Sequence, residues 1–281
     1  LGPFLNPVEM NNKSKKKVIH DVRRSDYAGL FEEVWGIGAL DDVEAAYDQL
    51  ALSIAAFERT LEFGRFSSKY DAYLQICLLA GGDPNDCSNG VGTIAWGVGV
   101  AFFEPEEWDG FQLFMGMNDN DGFLVAGEGA MCSACHVADW TADPGNVFVP
   151  DWAPAGLVPP VFTDFTFDNL GVPKSDDPLL AMAPVDLGLG AIVEDPEENG
   201  KFKVMPVRNI GLTAPYGHNG LFKTLKEIVH FYNTRDVDAV WPSAEYPDTV
   251  NFDELGNLGL SNDDEDALVA FMETLSDGYT P

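Results

Sequence analysis

Apolar residues recur every three to four positions across residues 41–63, at Val43, Ala46, Tyr47, Leu50, Ile54, Phe57 and Leu61. That spacing turns one face of a helix inward, and Asp41 and Asp42 suit the positive end where it starts. Shorter stretches of helical patterning cover residues 12–22, 27–35 and 106–115, and residues 224–233 read as one more helix. Near the end of the chain, Ser261 precedes Asp264 and Glu265 in a capping-box-like start. Leu268, Val269, Phe271, Met272 and Leu275 then share a face, which predicts a last helix over 262–276. Residues 81–99 are rich in Gly and 141–160 in Pro, and neither keeps a period, so both read as loops. There is no internal repeat and no low-complexity tract. The pattern predicts a mainly α chain with a boundary between Cys87 and Glu104, giving domains over 1–100 and 101–281.

Composition supports a packed interior. The 281 residues are enough for one large domain or two ordinary ones. With 46% hydrophobic and 22% charged positions, a disordered acidic tail is excluded as a description of the whole. The charge is lopsided, with 46 acidic against 16 basic side chains and a net −30, and residues 70–173 contain no Lys or Arg. Nucleic acid and anionic membranes are therefore poor partners, since binding phosphate needs clustered cations. No apolar run approaches the roughly 20 residues that cross a bilayer, so a soluble chain is expected.

The four cysteines form two unlike pairs. Cys77 and Cys87 flank the polar loop 81–86 and read as a disulfide, which would stabilise the fold by roughly 3 kcal/mol in an oxidising compartment; two free buried thiols are the other reading. Cys132 and Cys135 stand in Cys132-Ser133-Ala134-Cys135-His136. Thiols three positions apart can both add to the vinyl groups of one porphyrin, and His136 follows directly to donate an imidazole nitrogen to iron, so the pentapeptide reads as a haem c site. A zinc half-site is the competing use of Cys-x-x-Cys, but a structural zinc needs two more ligands. His20, His218 and His230 are each isolated and read as surface or hydrogen-bonded side chains. Both cysteine pairs point outside the cytoplasm. The chain opens at Leu1-Gly2-Pro3 without an initiator Met or an apolar leader, as expected of a processed or incomplete polypeptide.

Longer runs carry a family likeness. FTDFTFDNLGVP at 162–173, GKFKVMPVRNI at 200–210, LTAPYGHNG at 212–220 and the opening GPFLNPVEM at 2–10 resemble the bacterial dihaem cytochrome c peroxidase and MauG family. The resemblance covers nearly the whole chain. It implies a cytochrome c-like haem domain joined to part of a second helical cytochrome c-type domain. In that family an N-terminal domain carries the haem that meets peroxide and a C-terminal domain carries a second, electron-relaying haem. This chain has one Cys-x-x-Cys-His motif, matching the second, so the first haem is expected on a missing upstream part or a separate chain.

The likeness also implies roles for individual residues. Glu9 matches the acid that assists proton transfer over the peroxidatic haem; by itself it reads as a helix-terminal acid. Thr213 and Pro215 match backbone carbonyls that bind calcium, a suitable cation for such hard oxygen ligands. Counting from His218 through Leu225 and Val229 brings the sixth iron ligand to Tyr232, where peroxidases of the family have Met and MauG-type members have Tyr. A phenolate favours the ferric state. Met205 is the nearest rival, and a core aromatic is the plain alternative for Tyr232. The implied function is electron relay for peroxide reduction or peroxide-driven oxidation in an exported, periplasmic protein. Its expected partner is a basic redox protein, a small cytochrome or cupredoxin. The alternative is a single-haem electron carrier or a structural haem subunit without peroxidase activity.

Overall fold

The computed structural model describes residues 2–7, 9–60, 64–116, 129–145, 148–237 and 241–280. The chain divides into two compact units, Leu1–Arg65 with Pro144–Phe148, and Phe66–Asp143 with Val149–Pro281. The boundary therefore lies earlier than the predicted position near residue 100. Residues 66–100 pack with the later chain because their buried Tyr70, Tyr73, Leu74, Cys77 and Ala95 join the same core as Phe111, Phe162 and Phe271.

Among its described residues the first unit holds four helices: α1 (Gly2–Leu5), α2 (Lys15–Arg23), α3 (Ala28–Trp35) and α4 (Val43–Phe57). Ser14 caps α2, its hydroxyl accepting from the Lys17 amide, and Asp42 caps α4 through the Glu44 and Ala45 amides. The core is Val18, Ile19, Val22, Phe31, Leu40, Ala46 and Tyr47. α4 is shorter than the helix predicted over 41–63, and residues 61–63 lie outside the described residues. Of the face inferred from its period, Ala46 and Tyr47 are buried, whereas Ile54 and Phe57 are exposed.

The second unit is also mainly helical: α5 (Lys69–Leu79), α6 (Pro84–Asn89), α7 (Gly92–Phe102), α8 (Pro105–Met115), α9 (Pro178–Ala181), α10 (Leu189–Val193), α11 (Leu225–Thr234) and α12 (Asn262–Glu273). Its strands among the described residues are two antiparallel pairs of two residues each. β1 (Thr141–Ala142) faces β2 (Leu157–Val158), and β3 (Phe167–Asp168) faces β4 (Phe202–Lys203). The mainly α fold class is thus borne out. The loop expected over 81–99 is not: it is occupied by α6 and most of α7. Asp83 caps α6 with Pro84 in its first turn, and Gly90 at φ +73° ends it. In α7 the glycine serves close packing, because a Cβ on Gly99 would lie 2.0 Å from the Trp108 ring. The expected disulfide between Cys77 and Cys87 is present and ties the end of α5 to α6.

What positions the site is the crossing of α8 with α12. Gly110 makes it possible, since a Cβ there would stand 1.8 Å from the Ala267 carbonyl oxygen. Around the crossing, Phe271 meets Phe111 at 5.0 Å and Phe114 at 5.2 Å between ring centroids, and Phe162 meets Tyr70 at 5.1 Å. Tilted and edge-on pairs of this kind add to the area they bury. Capping boxes start α5 (Ser68 with Asp71), α11 (Thr224 with Glu227) and α12 (Ser261 with Asp264).

Candidate functional site

Met131, at φ +49°, begins a single 3₁₀ turn over Cys132–Ala134. The turn closes when the His136 amide donates to the Cys132 carbonyl at 2.8 Å, and Ser133 Oγ donates to the Met115 carbonyl at the end of α8. The tight turn sets both thiols and the imidazole of one pentapeptide on a short, anchored segment. Cys132 and Cys135 are not joined to each other. Burial pushes the Cys132 thiol up to about 12 and the Cys135 thiol up to about 11, with Glu254, Asp164 and Asp168 adding to the second shift.

His136 Nδ1 lies 3.1 Å from the Phe162 carbonyl oxygen. A carbonyl can only accept, so Nδ1 carries the proton and Nε2 keeps its lone pair. Burial lowers the pKa of the ring, keeping it neutral and able to ligate, against a smaller raising effect of the Phe162 carbonyl. Phe162 itself holds φ +60°, a rare conformation for a bulky side chain. Sequence reasoning does not single out Phe162 for this task, because a backbone carbonyl leaves no side-chain signature; its only trace is that it opens the run 162–173.

Tyr232 projects from α11 and packs against the same core as Cys132. Burial raises its phenol well above the ordinary range, and Cys132, Cys135 and Asp168 are near enough to add to the rise. The predicted Tyr232, Cys132 and Cys135 are thus brought together. His230 is occupied elsewhere, its Nδ1 lying 2.9 Å from Glu265 Oε1. Met205 is largely exposed, and its backbone lies beside His136. Two thiols, a neutral imidazole with one ring nitrogen anchored and a phenol sharing the thiols' surroundings are a donor set that fits haem c. No group of three or more His, Cys, Asp or Glu among the described residues is arranged to hold a metal ion.

The other predicted residues stand apart from this cluster. Glu9 is an exposed turn residue of the first unit. Thr213 and Pro215 are exposed and follow the 3₁₀ turn Ile210–Leu212; the Ala214–Pro215 bond is cis. His218 stacks on Phe202 at 3.8 Å and faces Glu245. No helix among the described residues is long and apolar enough to cross a membrane.

The chain resembles known proteins on both sequence and fold. The family model described as di-haem cytochrome c peroxidase matches residues 1–76. The methylamine utilization protein MauG of Paracoccus denitrificans (strain Pd 1222) is 31% identical over 98% of this chain and 63% of its own length. The cytochrome-c peroxidase IdrP2 of Denitromonas iodatirespirans is 35% identical over 56% of this chain and 39% of its own. The crystal structure of the diheme peroxidase BthA from Burkholderia thailandensis E264 superposes with a TM-score of 0.71 at 25% identity, covering 98% of this chain and 62% of that one. The chain therefore spans about three fifths of MauG and of BthA. With the Cys132–His136 turn set in this fold, the chain resembles the dihaem cytochrome c peroxidase and MauG proteins over nearly its whole length.

Proposed function

We propose that this chain binds one haem c through Cys132 and Cys135, with His136 and Tyr232 as the axial iron ligands. It relays electrons for peroxide reduction, or for peroxide-driven oxidation of a protein or small donor. The observation that carries the reading is that half-buried Tyr232 and Cys132 pack against one core, close enough for both thiols to act on the phenol, with the Phe162 carbonyl holding His136 Nδ1. When bound, haem supplies one-electron chemistry whose potential is set by its axial ligands and their surroundings. His136 presents Nε2 because Nδ1 is anchored, and that hydrogen bond makes the imidazole a stronger donor. Tyr232 would hold the iron as its phenolate, an anionic donor that favours the oxidised state. The buried rings of Phe114, Phe162 and Phe271 exclude water on the His136 side.

The first haem belongs to an upstream part or a separate chain, where Glu9 would assist proton transfer. The Thr213 and Pro215 carbonyls are the calcium ligands this chain offers. The setting is periplasmic, consistent with the disulfide. The partner is a basic redox protein drawn by the net −30 charge, so its on-rate should fall steeply with ionic strength.

Extraction of the purified protein with acidified organic solvent tests the attachment: haem that stays with the polypeptide supports it, and haem that leaves sinks it. Tyr232→Phe should shift the spectrum and raise the potential. An unchanged spectrum, or a near-infrared methionine-to-iron band in the parent protein, would overturn Tyr232 as ligand. Haem count separates enzyme from carrier: two haems in the gently purified particle support the dihaem reading, and one supports a single-haem electron carrier.

A further inference from the structure

Arg208 is half-buried in the second unit, its side chain 12% exposed, with its charge directed at a single carboxylate. Nη1 donates to both oxygens of Asp71, at 2.9 and 2.8 Å, and lies 3.3 Å from Ser68 Oγ. Asp71 is fully buried at the start of α5 and is held there by its capping box with Ser68. Pairs of this kind are costly to desolvate and are weak evidence of a purely stabilising role. The remaining contacts of Arg208 reach the turn at residues 160–162 and two further rings, with Phe66 at 5.1 Å and Tyr70 at 5.4 Å from the guanidinium carbon. Nε donates to the Pro160 carbonyl at 2.8 Å, and the guanidinium carbon lies 5.5 Å from the Phe162 ring centroid. Nη2 is buried without a hydrogen-bond partner among the described residues.

This is the turn whose carbonyl holds His136, and it carries Phe162 in a left-handed conformation that a phenylalanine adopts only under constraint. Its far end is fixed as well. Asp164 N donates to the Cys135 carbonyl at 2.9 Å, and Thr163 Oγ1 to the Val204 carbonyl at 2.5 Å. The near end, residues 160–162, is gripped by Arg208.

We infer that Arg208, clamped by Asp71, is a positioning residue for His136: it braces the Pro160 and Phe162 backbone so that the Phe162 carbonyl fixes the imidazole ring and retains its Nδ1 proton. The inference rests on the haem reading above. Lysine in place of Arg208 keeps the charge but has no planar fork to hold a carboxylate and a carbonyl together, so it separates bracing from simple electrostatics.

The test uses the haem-loaded protein and two readouts, solvent exchange of the axial imidazole Nδ1–H by NMR and the midpoint potential. Arg208→Lys should speed that exchange about tenfold, the factor for one hydrogen bond of ordinary worth. It should also raise the potential, because a less firmly bonded Nδ1–H makes the imidazole a poorer donor. Asp71→Asn leaves Arg208 in place but weakens its clamp, and should move both readouts in the same direction. It decides the matter if Arg208→Lys does not fold. Lower thermal stability with exchange and potential unchanged would make the pair merely structural and overturn the inference alone. A parent protein with no exchangeable axial-imidazole proton would overturn the haem ligation itself, and this inference with it.

Discussion

The two units solve the problem of stability differently. The first closes on seven buried hydrophobic side chains and leaves Leu30, Val34 and Ile37 exposed, the last at 99%. It is also where half the positive charge lies, with eight of the sixteen basic residues in the first 65 positions. The second unit interlocks Tyr70, Tyr73, Phe111, Phe114, Phe162 and Phe271, all fully buried. Residues 70–173, which include the candidate haem turn, carry no basic residue. The family-model match covers the first unit and only the beginning of the second, through residue 76, whereas the likeness to MauG runs over 98% of the chain and takes in the candidate site. The lesson is that the tightest packing accompanies the site. An imidazole anchored on a backbone carbonyl needs a rigid surround, whereas a unit with few buried side chains depends heavily on each.

The largest effect should come from the centre of the aromatic cluster. Phe271→Ala removes a fully buried ring that meets Tyr70, Phe111, Phe114 and Phe162. It should cost about 3–5 kcal/mol in denaturant unfolding. A loss below about 1 kcal/mol would mean that the second core is not the denser of the two. Reducing the Cys77–Cys87 bond, or replacing both residues by Ser, should cost roughly 3 kcal/mol. Hydrogen exchange should then rise first in α5 and α6, the helices it ties. A rise confined to the first unit would contradict the division at Arg65.

Ile19→Val sharpens the comparison from the other side. Ile19 is 1% exposed in the small core, and loss of one methyl group should cost about 1 kcal/mol. Faster exchange in α2, α3 and α4, with α5 and α8 unchanged, is the expected pattern. An equal rise in both units would erase the distinction between two cores.

Legibility of the chain in sequence followed this same contrast. Helices whose apolar residues keep a three-to-four spacing, such as α4 and α12, declare themselves by period, and the capping pair Ser261 and Asp264 is legible as a start. α5 goes unread because polarity does not follow its buried face: Ile76 and Leu79 are apolar and exposed, whereas Asp71 is charged and buried, so the period is blurred. α7 is misread as loop because Gly99 makes room for the Trp108 ring, and glycine alone does not tell close packing from looseness. At the site, the covalent motif is plain in one pentapeptide and Tyr232 follows from a family register. The Phe162 carbonyl and the Arg208–Asp71 clamp depend on chain segments brought together across long sequence separations, and nothing local announces them.

The smallest expected effect concerns charge in the second unit. Glu265 on α12 is 3% exposed and accepts from Asn233 Nδ2 at 2.7 Å and from His230 at 2.9 Å, with Lys226 Nζ 3.2 Å away. Burial pushes its carboxyl up, but the hydrogen bonds from Asn233, His230 and Lys226 outweigh burial, and the group titrates below the usual glutamate range. The native state thus binds this proton less readily than the unfolded chain does. The stabilisation is complete above the ordinary glutamate pKa of about 4.3, and is lost as pH falls through the lowered native value. Glu265→Gln should therefore cost about 1 kcal/mol at pH 7, and the gap between variant and parent should close on acidification below about pH 4.3. Denaturant unfolding at neutral and acid pH reads both quantities. A gap that stays constant across that range would assign Glu265 to packing between α11 and α12, leaving the aromatic cluster alone to distinguish the two units.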